Sequence, residues 1–300
     1  MPDTLHHYTT AQGLLGILEP VNESNDLGLP VEVTPHRSIS LWATDARYLN
    51  DSAELTYAAA ALADAIVEQL KDVGDERRGA LRRLADQIRE GDFTLDDIYV
   101  QTLVHTAYVA CFCTNGDLLS QWRGYGANGG GYSVEFYSSA LRELLVPSLR
   151  AGDSVIGHAV GGASLVKVTY GLDDQHLQAA ARSVIEGESG WELFDCLKSL
   201  AQFKNAAFEE EDEWRLVATN GTFYAPLRFR PGANGGIIPY LRLIRPQLVG
   251  DGSWIPSAIK SVTVGPGPDQ PLRVEAVEQL LRQRGFLDVA VIPSKATYRG

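Results

Sequence analysis

AYVACFCTNGDLLSQWRGYGANGGGYSVEF, residues 107–136, is the stretch that decides how this chain folds. Residues 107–113 form an apolar run with the length and composition of a buried strand, and residues 132–136 form a second. Between them lie a short helical segment, residues 118–124, and a turn built on the glycines of ANGGG. Cys111 and Cys113 sit two apart on the first strand, so their side chains share a face, and core packing is their expected role.

Outward from this stretch, strands and helices do not alternate regularly. Toward the N-terminus the chain reads as a strand at residues 5–8 and a helix at 10–18, capped by Thr10 and stopped by Pro20. A polar loop at 21–37 leads to a strand at 39–43. Helical periodicity then runs over 55–73 and 79–89. Toward the C-terminus come a helix at 139–145, a strand at 164–170 and a mostly helical region, 175–205, broken near residues 187–190. Strands follow at 214–219, 239–244, 260–264 and 289–293, with an amphipathic helix at 269–284 behind the breaker Gly265-Pro266-Gly267-Pro268. Strands that bracket helical insertions point to an α+β fold with mixed or antiparallel sheets rather than a doubly wound α/β sheet. We expect one domain over residues 1–300, with helical insertions at about 54–105 and 174–205.

At 300 residues and 45% hydrophobic content the chain can bury a large core. A net charge of -12 argues against broad binding along a nucleic-acid backbone, while leaving room for a local basic cleft. Three cysteines, Cys111, Cys113 and Cys196, give no disulfide framework and suit a reducing cytoplasm. The N-terminus has no basic segment followed by an apolar one, and the Ala-rich stretch at 57–67 is short and carries Asp64. Neither a signal peptide nor a membrane span is expected, so the expected location is cytoplasmic.

Four stretches carry candidate chemistry. His7 and Thr9 lie two apart at the end of the first strand, where imidazole and hydroxyl can together hold a ribose hydroxyl or an amide; a hydrogen-bonded His at a strand end is the plainer alternative. Residues 42–51 close a strand with Trp42, Arg47, Tyr48, Asn50 and Asp51; the last two suit helix caps, and Tyr48 suits either an aromatic platform or half-burial. Trp122, Arg123 and Tyr125 crowd beside glycines that allow close backbone approach, although the spacing is neither a P-loop nor a dinucleotide fingerprint, and Trp122 suits the core. Finally, the acidic run Glu209–Glu213 abuts Trp214 and a strand. Glu211 and Glu213 share a face there and can act as electrostatic stabiliser and proton acceptor, or the run is a solvated loop.

Taken in order, HHYTT, LWATDARYLND, residues 111–136, FKNAAFEEEDEWRL and IPSKATYR resemble the bacterial family catalogued as domain of unknown function 2971. More distantly, His7-x-Thr9, Tyr48 after a strand and Glu211-x-Glu213 before a strand are similar to ADP-ribosyltransferases of the His-Tyr-Glu type. That likeness implies NAD as a substrate, with no metal. His7 would then bind the ribose and Thr9 would anchor the nicotinamide or the strand geometry. Tyr48, or Tyr125 in its place, would stack on nicotinamide. Glu213, with Glu211 beside it, would steady the cationic sugar, and Arg47, Arg123 and Arg215 are its candidates for the pyrophosphate. It also implies a nucleic-acid or protein acceptor and a toxin or phage-defence setting, with an antitoxin or defence-system partner. Two alternatives are a non-catalytic nucleotide- or protein-binding sensor module, and a metal-dependent hydrolase or nuclease using Asp51, Glu54 and Glu211.

Overall fold

The tenfold repetition of short apolar runs produces one large sheet. A computed structural model describes residues 1–19, 37–49, 53, 55–97, 100–104, 106–126, 130–144, 146, 149–151, 154–156, 163–187, 192–219, 227–232, 235–245 and 256–297. Among these the strands are β1 (Thr4–Thr9), β2 (Ile39–Asp45), β3 (Thr94–Asp97), β4 (Val100–Val104), β5 (Ala107–Cys113), β6 (Tyr132–Tyr137), β7 (Leu149–Ala151) and β8 (Ser154–Ile156). They continue with β9 (Ser164–Lys167), β10 (Thr169–Tyr170), β11 (Phe203–Lys204), β12 (Glu213–Thr219), β13 (Arg228–Pro231), β14 (Ile237–Arg245), β15 (Ile259–Val264) and β16 (Ala290–Pro293). Ten of them form the sheet β13-β14-β2-β5-β1-β6-β15-β16, with β12 on the far edge of β5 and β9 beyond it. Its pairings are antiparallel except β15 with β16, as an α+β chain requires.

Strand alternation feeds two cores, one on each face of this sheet. On β5, Tyr108, Ala110 and Phe112 join the first core with Leu5, Leu41, Phe136, Leu216 and Val262. That face is covered by the helices Ala11–Ile17 and Gln270–Gln283, through Leu14, Ile17, Val277 and Leu281. Ala107 and Val109 face the other way, into a second core built with the helices Ala59–Gln69, Asp75–Arg89, Asp174–Glu186 and Glu192–Leu200. With both faces covered, β5 is apolar at almost every position, which is why it reads so plainly as a strand.

The first helix sits unusually close to β2. Thr10 caps it by accepting from Gly13 N at 3.3 Å. A Cβ added at Gly16 would lie 2.2 Å from Cζ2 of Trp42, so only a residue without a side chain lets the helix rest on the indole.

Several elements differ from the sequence expectation. Residues 94–97 and 100–104, inside a stretch expected to be helical, pair antiparallel as β3 and β4. The region 175–205 ends in β11, because Phe203 and Lys204 leave the helix to pair in parallel with β10. The run 164–170 divides at Val168, whose N–H donates to Glu213 O, so that β9 continues along β12 while β10 turns to β11. The helix expected at 139–145 is the single turn Ser138–Leu141. The loop at 21–36, Asn50, Asp51, Glu54, residues 127–129 of the glycine turn and the break at 188–190 lie outside the described residues. Among the described residues no helix is long and apolar enough to cross a membrane.

Candidate functional site

Strand β5 is shared by two strands along one edge, and the sheet divides there. β1 meets β5 only at His6 and Cys113, and β2 meets it only at Thr44–Val109 and Asp45–Tyr108. On the opposite edge β12 runs the whole length of β5. Between the two short contacts the β1/β2 edge of residues 110–112 carries no strand, and β1 and β2 diverge around a cavity of about 320 Å³. That volume lies at the low end for small-molecule sites. Its walls come from β1, β2, β5, the helix Leu119–Tyr125, the acidic run, and β13–β14.

His7 fills part of the missing edge. Its Nδ1 lies 2.8 Å from Cys111 O, and since a carbonyl only accepts, Nδ1 carries the proton. Burial lowers the imidazole pKa, the Cys111 bond opposes this, and the nearby Arg230 charge lowers it further. The ring is therefore neutral near neutral pH, with Nε2 left as an acceptor. Thr9 and Gly13 line the same wall, and a Cβ on Gly13 would fall 1.9 Å from Thr9 Oγ1. Tyr8 turns to the other face. Its hydroxyl donates to Asn115 O and accepts from Leu118 N, and its ring meets Trp122 edge-on at 4.7 Å. Trp122 in turn donates to Asp117, which also accepts from Ser294 and from Lys295 N. Tyr8 and the C-terminal segment thus fix the helix that presents Gln121 and Tyr125 to the cavity.

Glu211 and Glu213 enter from the opposite face of the sheet. The register His6–Cys113–Glu213 across three strands puts Glu213 on the His6 side, whereas His7 belongs to the other. Both nonetheless line the cavity, because it occupies the gap between the strands. Glu213 is buried, and its carboxylate accepts from Lys204 Nζ at 2.7 Å, Arg215 Nε at 2.8 Å and Arg215 Nη2 at 3.2 Å. Burial alone would raise its pKa; Arg215 and Lys204 instead hold it at about 2. Lys204 also donates to Glu211 Oε2 at 2.7 Å and lies over the Phe208 ring. Glu211 Oε1 accepts from no group among the described residues, and burial raises the Glu211 pKa. The result is a fixed anion, Glu213, beside a carboxylate with one open oxygen.

The candidates from sequence therefore separate. His7, Thr9, Tyr48, Tyr125, Glu211 and Glu213 line one cavity. Arg47, Arg123 and Arg215 do not. Arg47 turns back on Asp45 through Nε and Nη2, Arg123 is exposed on its helix, and Arg215 is fully buried against Glu213 and Ala201 O. The sequence reading missed Lys204, Gln121 and Arg230, all in the lining. Lys204 belongs to the stretch FKNAAFEEEDEWRL, and its place as counterion follows only from the pairing of β11 with β10. Gln121, buried beside Trp122, has an amide with no hydrogen-bond partner among the described residues.

Among the described residues no group of three or more His, Cys, Asp or Glu side chains could hold a metal ion. Searches among curated proteins and among solved structures find no match. A family model described as protein of unknown function (DUF2971) matches residues 121–216, the segment that contributes Gln121, Gly124, Tyr125, Lys204, Glu211 and Glu213 to the cavity, and over that segment the chain is similar to this family.

Proposed function

We propose that the cavity binds NAD and cleaves its nicotinamide–ribose bond, an ADP-ribosyltransferase-like activity. What carries the reading is the convergence of His7, Thr9, Tyr48, Tyr125, Glu211 and Glu213 on one cavity. The C1′–N bond breaks with its electron pair leaving on nicotinamide, which departs neutral. The ribosyl cation is then captured by an oxygen or nitrogen of the acceptor, which loses a proton. A cationic sugar needs a carboxylate close by, and Glu213 stays charged across the physiological pH range. Glu211 Oε1 is free to accept from a ribose hydroxyl, and neutral His7 Nε2 from another. Tyr125 or Tyr48 stacks on nicotinamide, and the Gln121 amide matches its carboxamide. The acceptor is a nucleic acid or protein, in keeping with a toxin or phage-defence effector of the cytoplasm.

A second reading, nucleotide binding without turnover, draws on a specific observation: both oxygens of Glu213 already serve Lys204 and Arg215. Purified protein is assayed for nicotinamide release beside Glu211→Gln and His7→Ala, with folding checked by circular dichroism. Turnover lost by about 10²- to 10³-fold in folded Glu211→Gln supports the enzyme. NAD binding without release supports the sensor, and neither binding nor release rejects both.

A further inference from the structure

Arg230 is an unexplained cation in the cavity wall. Its Nη2 donates to Thr44 Oγ1 at 3.1 Å, its Nε is buried with no partner, and no carboxylate pairs with it among the described residues. The other fixed cation in the lining, Lys204, is held between Glu211 and Glu213. A half-buried guanidinium with no carboxylate beside it is costly, and an anion in the cavity that accepts from its accessible N–H groups offsets that cost. Thr44 Oγ1 accepts from Arg230 and so keeps its own O–H to donate. The two side chains come from neighbouring parts of the sheet, since β13 pairs with β14 and β14 with β2. Donors from two groups suit an anion with several oxygens around one centre, which favours phosphate over carboxylate.

We propose that Arg230 and Thr44 form an oxyanion subsite that takes a phosphate or diphosphate group of the cavity's ligand. His7 lies close enough to feel the Arg230 charge, which helps to keep its imidazole neutral. A neutral acceptor beside a cation matches a sugar hydroxyl beside its phosphate, so one ribose phosphate satisfies both. The choice of a diphosphate nucleotide rests on the reading of the cavity as an NAD site; the subsite itself does not.

Isothermal titration with inorganic pyrophosphate and with ADP-ribose tests it, on wild type, Arg230→Gln and Arg230→Lys, with folding followed by circular dichroism. Both probes should bind wild type. Affinity for each should fall about 10- to 100-fold in Arg230→Gln, as expected for loss of a charge-assisted pair, and by less in Arg230→Lys. Should Arg230→Gln not fold, the weakening in Arg230→Lys and displacement of ADP-ribose by pyrophosphate on wild type decide the matter. Pyrophosphate bound through Arg230 while ADP-ribose and NAD are refused would uphold the subsite and remove the nucleotide reading. Unchanged affinities in the variants, or a wild type that binds neither probe, overturn the subsite.

Discussion

Replacing Glu213 by Gln takes one negative charge from between two cations. Arg215 is fully buried, with Nε and Nη2 both ending on that carboxylate and Nη1 on Ala201 O. Lys204 keeps Glu211, so most of the loss falls on Arg215. Breaking a buried pair from one side costs about 3–5 kcal/mol, because the remaining charge is left buried. The carboxyl's own proton affinity gives a similar size: its pKa is held at about 2 against an ordinary 4.5. At about 1.4 kcal/mol per pH unit that is roughly 3 kcal/mol of stability. The sign follows from the depressed value: the contribution is fully present above pH 4.5 and is lost as pH falls through about 2. Urea unfolding near neutral pH of wild type, Glu213→Gln, Arg215→Met and the double variant measures this. Glu213→Gln should lose about 3 kcal/mol, and the double variant should recover part of it because no unpaired charge remains. Wild type should weaken in acid by an amount that Glu213→Gln does not show. A Glu213→Gln protein within about 1 kcal/mol of wild type, or a double variant no better than the sum of the singles, refutes the account. The same result bears on the proposed catalysis, since a fall in activity on changing Glu213 would then include a folding defect, whereas Glu211 has only one partner to lose.

Three further outcomes are expected. Lys204→Met leaves the half-buried Glu211 and the buried Glu213 without the cation between them, so its stability deficit should shrink as pH is lowered and one carboxylate takes a proton; a deficit that does not change with pH contradicts this. The His7 imidazole has its pKa lowered by burial, so it favours folding above the ordinary 6.5 and that contribution is lost as pH falls below it. An NMR titration should place its midpoint below 6.5, and His7→Gln should flatten the pH slope of stability; a midpoint at or above 6.5 counts against the neutral ring. Gly16→Ala drives a methyl into Trp42 and should cost about 1–3 kcal/mol, with a shift in tryptophan emission; a silent substitution would show that the helix moves away freely.

Most of the sheet was legible because its strands are apolar on both faces or alternate cleanly. β5 and β12 read as strands from their letters, and Thr10 announced its helix. The β3–β4 pair and the two-residue β11 were not, since each follows a helical run and is short enough for tertiary pairing to decide it. In the cavity, the three residues set in the first strand and the acidic run, His7, Glu211 and Glu213, stood out because polar groups beside strands are conspicuous. The three arginines named from sequence lie outside the cavity lining. Arg47 and Arg215 have carboxylates two residues away on their own segments, and local pairing took them. Arg230 sits in RFRP, a segment with no motif, and reaches the cavity only because β13 and β14 fold back beside β2. No local spacing encodes that approach.

The forked strand has a consequence for how this site can change. His7 stitches a seam in the sheet through the Cys111 carbonyl while presenting its other nitrogen to whatever fills the opening. On the proposed reading one side chain is thus both fastener and reader, so altered ligand preference cannot begin there without loosening the architecture. Tyr48, on the rim and about half exposed, carries no such double duty. Diversification of what the seam admits should start at the rim and leave the stitch in place.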